Sequence, residues 1–144
     1  MLVEMIYASK VSKPLDSSTV TDILLAARRH NARHGLTGLL VFNHAYFLQV
    51  IEGDRSQLKR LLPRLMADQR HTEFALIRFA SIAQRQYSNW SMGFVAAHAL
   101  NRAVLLRHGV SDSFDPCNLT ESAAIALLRD LRESLVAETL ADAA

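Results

Sequence analysis

Two almost unbroken apolar runs, at residues 36–42 and 46–52, constrain the fold of this 144-residue chain more than any other feature. Only Asn43-His44-Ala45 separates them, which predicts two antiparallel strands joined by a short turn. Strands with one solvated face alternate apolar and polar residues, and these runs do not alternate. We therefore expect the hairpin to lie centrally in a sheet that is covered on both faces.

Gln49 is the one uncharged polar residue inside the second run. The two-residue period of a strand places it on the same face as Phe47 and Ile51. A buried primary amide has two donor hydrogens and an acceptor oxygen, and leaving such a group unpaired costs about 1–3 kcal/mol. The amide therefore bonds either a nearby backbone group or a polar ligand, and this run alone leaves both possibilities open.

The first predicted strand, residues 2–9, places Tyr7 on one face and is followed by a polar break and a helix. Ser18 is a suitable N-cap for that helix, which ends near His34, and Gly35 suits the residue that follows its end. One apolar stripe of the helix ends in an amide, which either faces the interior or touches water at the helix end. The members of the stripe are Val20, Ile23, Leu24, Ala27 and Asn31.

A second helix is predicted directly after the hairpin. Asp54 and Gln57 have the spacing of a capping box at its start, with Asp in place of Ser or Thr. Pro63 removes one helical hydrogen bond, so we expect a kink or an early end there. A strand at 73–82 and a short last strand at 90–95 complete the pattern.

The resulting order, β-α-β-β-α-β-β, predicts an α+β, ferredoxin-like fold with one added strand. In such a fold both helices lie on one face of the sheet, which leaves the other face of the apolar hairpin uncovered. A last helix, starting at Thr120 or Glu121, should cover that face or pair with a second chain. We expect a domain at 1–96 and a helical extension at 97–144. The apolar stripe of the last helix consists of Ala124, Leu127, Leu128, Leu131 and Leu135.

Composition and charge exclude several classes of protein. Half of the residues are hydrophobic, 21% are charged and the net charge is +2, which is ordinary for a globular domain. No apolar run reaches the roughly 18 residues of a membrane span, and the first residues show no basic segment of a signal peptide. The single Cys117 excludes an internal disulfide. We expect a cytoplasmic protein that binds neither membranes nor nucleic acid, because no basic patch is interleaved with aromatic residues.

No metal site is expected either. His30 and His34 have the i, i+4 spacing of two zinc ligands, but the sequence between them lacks the Glu that follows the first His in metalloproteases.

Three polar side chains are predicted to converge: Tyr7 on the first strand, Asn31 at the end of the first helix and Gln49 on the third strand. The first and third strands are neighbours in a ferredoxin-like sheet, and the helices pack over them. A phenol and two amides suit a planar heterocycle that carries both C=O and N–H groups. They are poor general acids or bases near neutral pH, so we do not expect an enzyme.

Several separated motifs extend this constellation across residues 1–96. They are Tyr7-Ala-Ser9, Asn31 followed by Gly35-Leu-Thr-Gly-Leu-Leu40, Phe47-Leu-Gln49-Val-Ile-Glu-Gly53, Asp68-Gln-Arg70-His71 and Asn89-Trp90-Ser-Met92-Gly-Phe94. In order and spacing they resemble the BLUF domains, which are sensors of blue light using a flavin. The helical tail is similar to that of short, single-domain members.

The resemblance implies a flavin, FAD or else FMN or riboflavin, whose ring lies between the two helices. By similarity, Asn31 pairs with C4=O and N3–H of the ring, and His30 contacts it near C2=O. Gln49 is expected between Tyr7 and the N5/C4=O edge of the flavin, so that its rearrangement changes the hydrogen bond at C4=O. Arg70 and His71 lie towards the ribityl and phosphate end.

The resemblance also implies how light is sensed. Blue light drives electron and proton transfer from Tyr7 to the flavin, and the side chain of Gln49 then rearranges by rotation or tautomerisation. Trp90 and Met92 on the last strand, with Ser9, are the expected relay to the tail. Because no catalytic effector follows within the chain, we expect an unknown partner protein to receive the signal, and we expect a homo-oligomer, a dimer or larger.

Two other functions stay open at this point. The first is a small ferredoxin-like enzyme of the acylphosphatase type, although the loop Ser9-Lys-Val-Ser-Lys-Pro14 has neither the glycine nor the arginine of an anion-binding loop. The second is a dimeric interaction module without a cofactor. A yellow colour of the purified protein would distinguish the flavin sensor from both.

Overall fold

The computed structural model describes residues 1–43, 45–96, 102–109 and 115–143, and its first seven elements follow the predicted order. His44 of the predicted turn lies outside the described residues, as do 97–101 and 110–114 of the predicted extension. The strands are β1 (Leu2–Val11), β2 (Thr37–Phe42), β3 (Tyr46–Asp54), β4 (His71–Ser81) and β5 (Gly93–Ala96). The helices are α1 (Ser17–His34), α2 (Arg55–Ala67), α3 (Arg102–Arg107) and α4 (Glu121–Ala143), with a short 3-10 turn at Pro116–Asn118.

The five strands form one mixed sheet in the order β4-β1-β3-β2-β5. β1 pairs antiparallel with both β3 and β4, and β2 pairs antiparallel with β3. The added strand, β5, pairs parallel with β2 at the edge. The predicted α+β, ferredoxin-like architecture is thereby confirmed, with β1 and β3 as adjacent central strands.

The start of α1 differs from the prediction. Its N-cap is Asp16, whose carboxylate accepts a hydrogen bond of 2.8 Å from the Thr19 N–H. Ser18 lies inside the helix and donates its hydroxyl to the same carboxylate, so the prediction of Ser18 as the cap was wrong. A carboxylate is the stronger acceptor of the two side chains. Gly35 ends the helix with a φ of 65°, and its N–H bonds the carbonyl of Asn31, as predicted.

The second helix begins at the predicted cap and continues past its proline. The Asp54 carboxylate accepts a bond of 3.1 Å from the Ser56 N–H. α2 includes Pro63 and ends only after Ala67, so of the two expected effects the early end is excluded, and the kink stays a prediction. A proline inside a helix removes one donor, and the remaining turns still bury an apolar face against the sheet.

The last strand begins later than predicted. β5 starts at Gly93, so Trp90 and Met92 precede the strand instead of lying on it. The Trp90 carbonyl still accepts a bond of 3.2 Å from the Gly38 N–H of β2. The carbonyls of Ser91 and Met92 accept bonds from side chains of α1 instead, which takes this segment out of the sheet ladder.

Two cores cover the two faces of the sheet, as the non-alternating hairpin predicts. On one face α1 and α2 cover the sheet, and the buried residues of this core are Val3, Met5, Leu36, Leu40, Phe42, Phe47, Ile51, Leu58 of α2 and Met92. On the other face α4 packs over Ile6, Ala8, Leu39, Val41, Leu48 and Val50. The predicted stripe of α4 is buried at Ala124, Leu127, Leu128 and Leu131, so the cover of the second face lies within this chain.

The described part of the C-terminal extension is helical, in agreement with the prediction, and consists of α3, the 3-10 turn and α4. The division into domains at residue 96 stays a prediction. Within the described ranges, none of the helices combines the length and the hydropathy that a membrane crossing requires.

A buried carboxylate organises the loop before β5. Glu52 of β3 has no exposed surface and lies on the α4 face of the sheet. Its oxygens accept bonds of 2.9 Å from the Thr37 hydroxyl, 2.9 Å from the Gln86 N–H and 2.7 Å from the Tyr87 N–H. Because each oxygen is hydrogen-bonded, the burial of this charge is compensated.

A second carboxylate, Glu4, lies directly opposite Glu52 across β1 and β3 and is also buried. Arg78 of β4 bonds Glu4 at 3.1 Å and Glu121, at the start of α4, at 2.5 Å. Burial raises the pKa of Glu4 above its ordinary value of 4.5, Arg78 opposes this shift, and Glu52 adds to it. Arg78 thus joins three elements through one guanidinium group.

Truncating the stripe of α4 should destabilise the protein. Leu131 has no exposed surface, so Leu131→Ala should lower the free energy of unfolding by about 2–5 kcal/mol. Leu106→Ala, at a leucine of α3 that is 57% exposed, is the matched control and should stay within about 0.5 kcal/mol of the wild type. Urea unfolding measures both changes, and equal losses would show that α4 is not seated on the sheet.

The raised pKa of Glu4 predicts a pH dependence of stability. The folded state retains this proton at pH values where the unfolded chain has released it, so the contribution of Glu4 to stability falls as pH rises above 4.5. Glu4→Gln is neutral at every pH and lacks this loss. The stability of Glu4→Gln relative to the wild type should therefore increase between pH 4.5 and pH 7, as measured by urea unfolding.

Gln69→Asn, which exchanges no titratable group at an exposed position, is the control and should keep a constant difference from the wild type over this pH range. A Glu4→Gln difference that is constant or shrinks with rising pH would contradict the prediction.

Candidate functional site

A cavity of about 320 Å³ lies between α1, α2 and the central strands. This volume is at the lower end of the range for small-molecule sites. Buried Tyr7, Asn31 and Gln49 line its inner part, whereas Arg64 and Arg70 are exposed and line its outer part. Its apolar walls are Ile23, Ala26, Ala27, Leu40, Phe47, Ile51, Leu61 and Leu65.

The structure brings most of the predicted site residues together at this cavity. The predicted residues that line it are Tyr7, His30, Asn31, Gln49, Arg70 and His71. The three residues predicted as a relay, Ser9, Trp90 and Met92, are not among the residues that line the cavity.

Tyr7 and Gln49 are direct neighbours across β1 and β3. The Tyr7 hydroxyl donates a hydrogen bond to Oε1 of Gln49. Nε2 of Gln49 donates to Sδ of Met92 at 3.3 Å. A thioether sulfur can only accept, which fixes this orientation of the amide. Gln49 therefore connects the phenol, the cavity and the segment that precedes β5.

The Tyr7 phenol is held in its neutral form. Burial, and secondarily the charge of Asp68, raises its pKa well above the ordinary value of 10. Its ring stacks on Phe74, with centroids 4.7 Å apart and planes 19° apart. The Tyr7 proton thus stays available for donation to Gln49.

Phe74 was not identified from the sequence as a site residue. The register of β4 against β1 shifts on both sides of Tyr7, and Glu73, inside one irregular stretch, has a φ of 51°. Irregular pairing of this kind redirects side chains and is common beside functional sites. The sequence of β4 carries no glycine or proline that would reveal it.

Asn31 is buried at the last turn of α1, so its side chain faces the interior and not water. Nδ2 donates to the Ser91 carbonyl at 2.7 Å, and Oδ1 lies 3.4 Å from Nδ1 of His30. A primary amide has two donor hydrogens and two acceptor positions. One donor and one acceptor of Asn31 therefore remain for a ligand in the cavity.

Both ring nitrogens of His71 are engaged. Nε2 bonds the carbonyl of Leu65 at the end of α2, and Nδ1 lies 2.7 Å from Oγ of Ser9. Because a carbonyl can only accept, Nε2 carries a hydrogen, and in the neutral ring Nδ1 then accepts from the Ser9 hydroxyl. The structure places Ser9 against His71, and its role as a relay stays a prediction.

The outer part of the cavity is charged. The Arg70 guanidinium donates to the Asp68 carboxylate from Nη2 to Oδ2 at 2.6 Å and from Nε to Oδ1 and Oδ2 at 3.0 and 3.2 Å. Hydrogen bonding to Arg70 lowers the pKa of Asp68. Arg64 adds a second guanidinium that sequence reasoning missed. Its spacing from Leu61 and Leu65, on one helix face, was a signal that could have identified it.

Trp90 and Met92 contact different cores. Met92 is buried in the core beneath α1 and α2, whereas Trp90 packs against the core beneath α4. A Cβ atom at Gly93 would lie 3.2 Å from Leu135 Cδ2 of α4 and 3.4 Å from Trp90 Cδ2. The segment 90–92 therefore connects the cavity face of the sheet to the tail.

The described part of the chain has no group of three His, Cys, Asp or Glu residues that could hold a metal ion. The rings of His30 and His34 lie 4.4 Å apart, centroid to centroid. The cavity offers apolar walls, uncharged hydrogen-bonding groups in its inner part and guanidinium groups in its outer part. Such a site suits a planar heterocycle with C=O and N–H groups that carries an anionic substituent.

Comparison with known proteins identifies the family of proteins to which this site belongs. A family model described as sensors of blue-light using FAD matches residues 2–93. The chain belongs to this family, the BLUF domains, which bind a flavin.

Individual relatives agree with the family assignment. The chain is 29% identical over 92 residues to the photoactivated adenylate cyclase subunit beta of Euglena gracilis, a match that covers 63% of this chain and 11% of that protein. It is similar to the structure of BlsA in its photo-activated state, with a TM-score of 0.82, 28% identity and coverage of 91% of this chain and 94% of that chain.

The dark-state structure of BlrB, a BLUF protein, has a TM-score of 0.76 and 29% identity, with coverage of 90% of this chain and 96% of that chain. The similarity to BlsA and BlrB therefore extends beyond the sheet into the helical tail.

Proposed function

We propose that this chain is a blue-light photoreceptor in which the Gln49 side chain is the switch and the segment 90–92 passes the change to the tail. One observation carries the proposal: the Gln49 amide lines the cavity while it bonds Tyr7 through its oxygen and Met92 through its nitrogen. The chain acts as a sensor and not as an enzyme. The family match favours this function over the acylphosphatase-type and cofactor-free alternatives.

The residues of the cavity fit a flavin ring. The free donor and acceptor of Asn31 match an adjacent C=O and N–H on one heterocycle, and His30, beside Asn31, would contact the same edge. A bound flavin supplies absorption of blue light and accepts an electron and a proton. Tyr7 is the donor that the chain provides, because its hydroxyl is buried, neutral and adjacent to Gln49.

A reversal of the Gln49 amide would break its contact with Met92. The present orientation places a donor at Sδ of Met92 and an acceptor at the Tyr7 hydroxyl. If the amide turns over, its oxygen faces the sulfur, and neither atom carries a hydrogen. Met92 then loses its hydrogen bond to the switch, and this loss is the local change that the segment 90–92 transmits.

The proposed cofactor is FAD, with FMN and riboflavin as the alternatives. The family description names FAD, and the exposed guanidinium groups of Arg64 and Arg70 at the outer part of the cavity suit a phosphate. Arg70 shares its charge with Asp68, so Arg64 contributes the positive charge that remains. His71, held by Ser9 and Leu65, closes this end of the site in a fixed orientation.

The proposed output is contact between the tail and a partner protein. We place the protein in the cytoplasm and expect it to form a homo-oligomer. Trp90 and Leu135 of α4 both lie beside Gly93, which supports a path from the segment 90–92 to the tail. Relatives such as the Euglena gracilis protein are named as cyclases, whereas the chains of BlsA and BlrB match this one almost end to end.

Loss of the Asn31 amide should weaken flavin binding. Asn31→Ala leaves a ring acceptor and a ring donor unpaired at a cost of about 1–3 kcal/mol. Flavin affinity, measured by fluorescence titration of the apoprotein, should fall by up to about a hundredfold. Asn118→Ala, at an exposed asparagine of the 3-10 turn, is the control. Unchanged affinity in Asn31→Ala would show that this amide does not face the ring.

The test of the photoreceptor is a pair of absorption spectra, in darkness and under blue light. The flavin-loaded wild type should show a reversible red shift of the flavin band, because a changed hydrogen bond at C4=O alters the absorption. Gln49→Leu keeps the volume and apolar packing of the site, so it should bind flavin without showing the shift. Tyr7→Phe should abolish the shift by removing the phenolic proton.

Gln69→Leu and Tyr46→Phe lie outside the cavity lining and should behave like the wild type. A wild-type-like shift in Gln49→Leu would disprove the amide switch, and a wild type without any shift would disprove the photoreceptor.

A further inference from the structure

We infer that Arg28 is a positioning residue that holds Met92 in contact with Gln49. Arg28 lies on α1, and its Nε donates to the Met92 carbonyl at 3.0 Å. Met92 in turn accepts from Gln49 through its sulfur at 3.3 Å. The inference rests on the proposed function, in which the contact between Gln49 and Met92 starts the signal.

α1 holds the segment 90–92 at two successive carbonyls. Asn31 bonds the Ser91 carbonyl at 2.7 Å, and Arg28 bonds the Met92 carbonyl at 3.0 Å. Arg28 and Asn31 are three residues apart, so they share one face of the helix. Their surroundings differ, because Asn31 is buried and lines the cavity, whereas Arg28 is exposed and lies outside the lining. Arg28 can therefore be changed without altering the cavity wall.

The backbone anchor matters because methionine is flexible. Its side chain has three rotatable bonds, so its sulfur occupies one place only if the backbone and the packing restrict it. Met92 is 1% exposed, and the core beneath α1 and α2 supplies the packing. Arg28 supplies the restriction on the backbone. When the Gln49 amide turns over and releases the sulfur, the bond from Arg28 keeps Met92 close to its original position. The hydrogen bond between Gln49 and the Met92 sulfur, here called the dark contact, can then form again.

The first test needs no light. In protein labelled at the methionine methyl groups with ¹³C, the Met92 resonance is assigned by its absence from Met92→Leu. Arg28→Gln should shift this resonance, and Arg28→Lys should return it part of the way, since lysine restores a cationic donor. Arg29→Gln, at the adjacent exposed arginine, should leave it unchanged. Flavin affinity should stay within about twofold of the wild type in all three variants, because none of these residues lines the cavity.

The second test uses the return to the dark state. Removing the bond from Arg28 destabilises the dark contact, so Arg28→Gln should slow thermal recovery of the dark spectrum by about two- to tenfold. The same substitution in a Met92→Leu background should have no further effect, because the sulfur on which Arg28 acts is absent.

An unshifted Met92 resonance in Arg28→Gln would overturn the inference, and so would an equal slowing in the Met92→Leu background. If the wild type shows no light-induced shift at all, the proposed function fails. The methyl resonances still decide whether Arg28 positions Met92.

Discussion

The antiparallel pairing of β1 with β3 is the constraint on which the rest of the structure depends. It places Tyr7 opposite Gln49 on one face and Glu4 opposite Glu52 on the other. A slip of one residue would exchange the two faces and put carboxylates into the cavity. The apolar neighbours of these residues fix the register, since both faces are buried and any slip would misplace both cores.

The two faces differ in the kind of polarity they bury. The cavity face holds neutral groups, a phenol and two amides, whose hydrogen bonds can be exchanged without separating charges. The α4 face holds carboxylates that Arg78 and backbone N–H groups satisfy, an arrangement that is costly to disturb. Hydrogen bonds between neutral groups on one face of the sheet thus lie against ion pairs and buried carboxylates on the other face. The segment 90–92 contacts both cores, with Met92 on one side and Trp90 on the other.

Much of this arrangement could be predicted from the sequence, because period and composition determine which faces are buried. The non-alternating hairpin indicated a doubly covered sheet, and the stripe of α4 identified the cover for its second face. The errors arose where a local competition decides the structure. Asp16 is a better acceptor than Ser18, and side chains of α1 take the carbonyls of Ser91 and Met92 from the ladder. The position of Phe74 beside Tyr7 depends on an irregular register, and the role of Arg28 depends on a contact with a residue 64 positions away. A local sequence pattern contains neither.

The central position of β1 also determines the order in which this molecule can assemble. The first strand of the chain pairs with residues 46–54 and 71–81, and the α4 stripe that covers its second face lies beyond residue 121. During synthesis the apolar β1 must remain without a partner until β3 has emerged, and half-covered until the tail follows. Contacts so distant in sequence slow folding and prolong the exposure of apolar surface. The strand that carries Tyr7 is therefore also the one that most needs protection while the chain is being made.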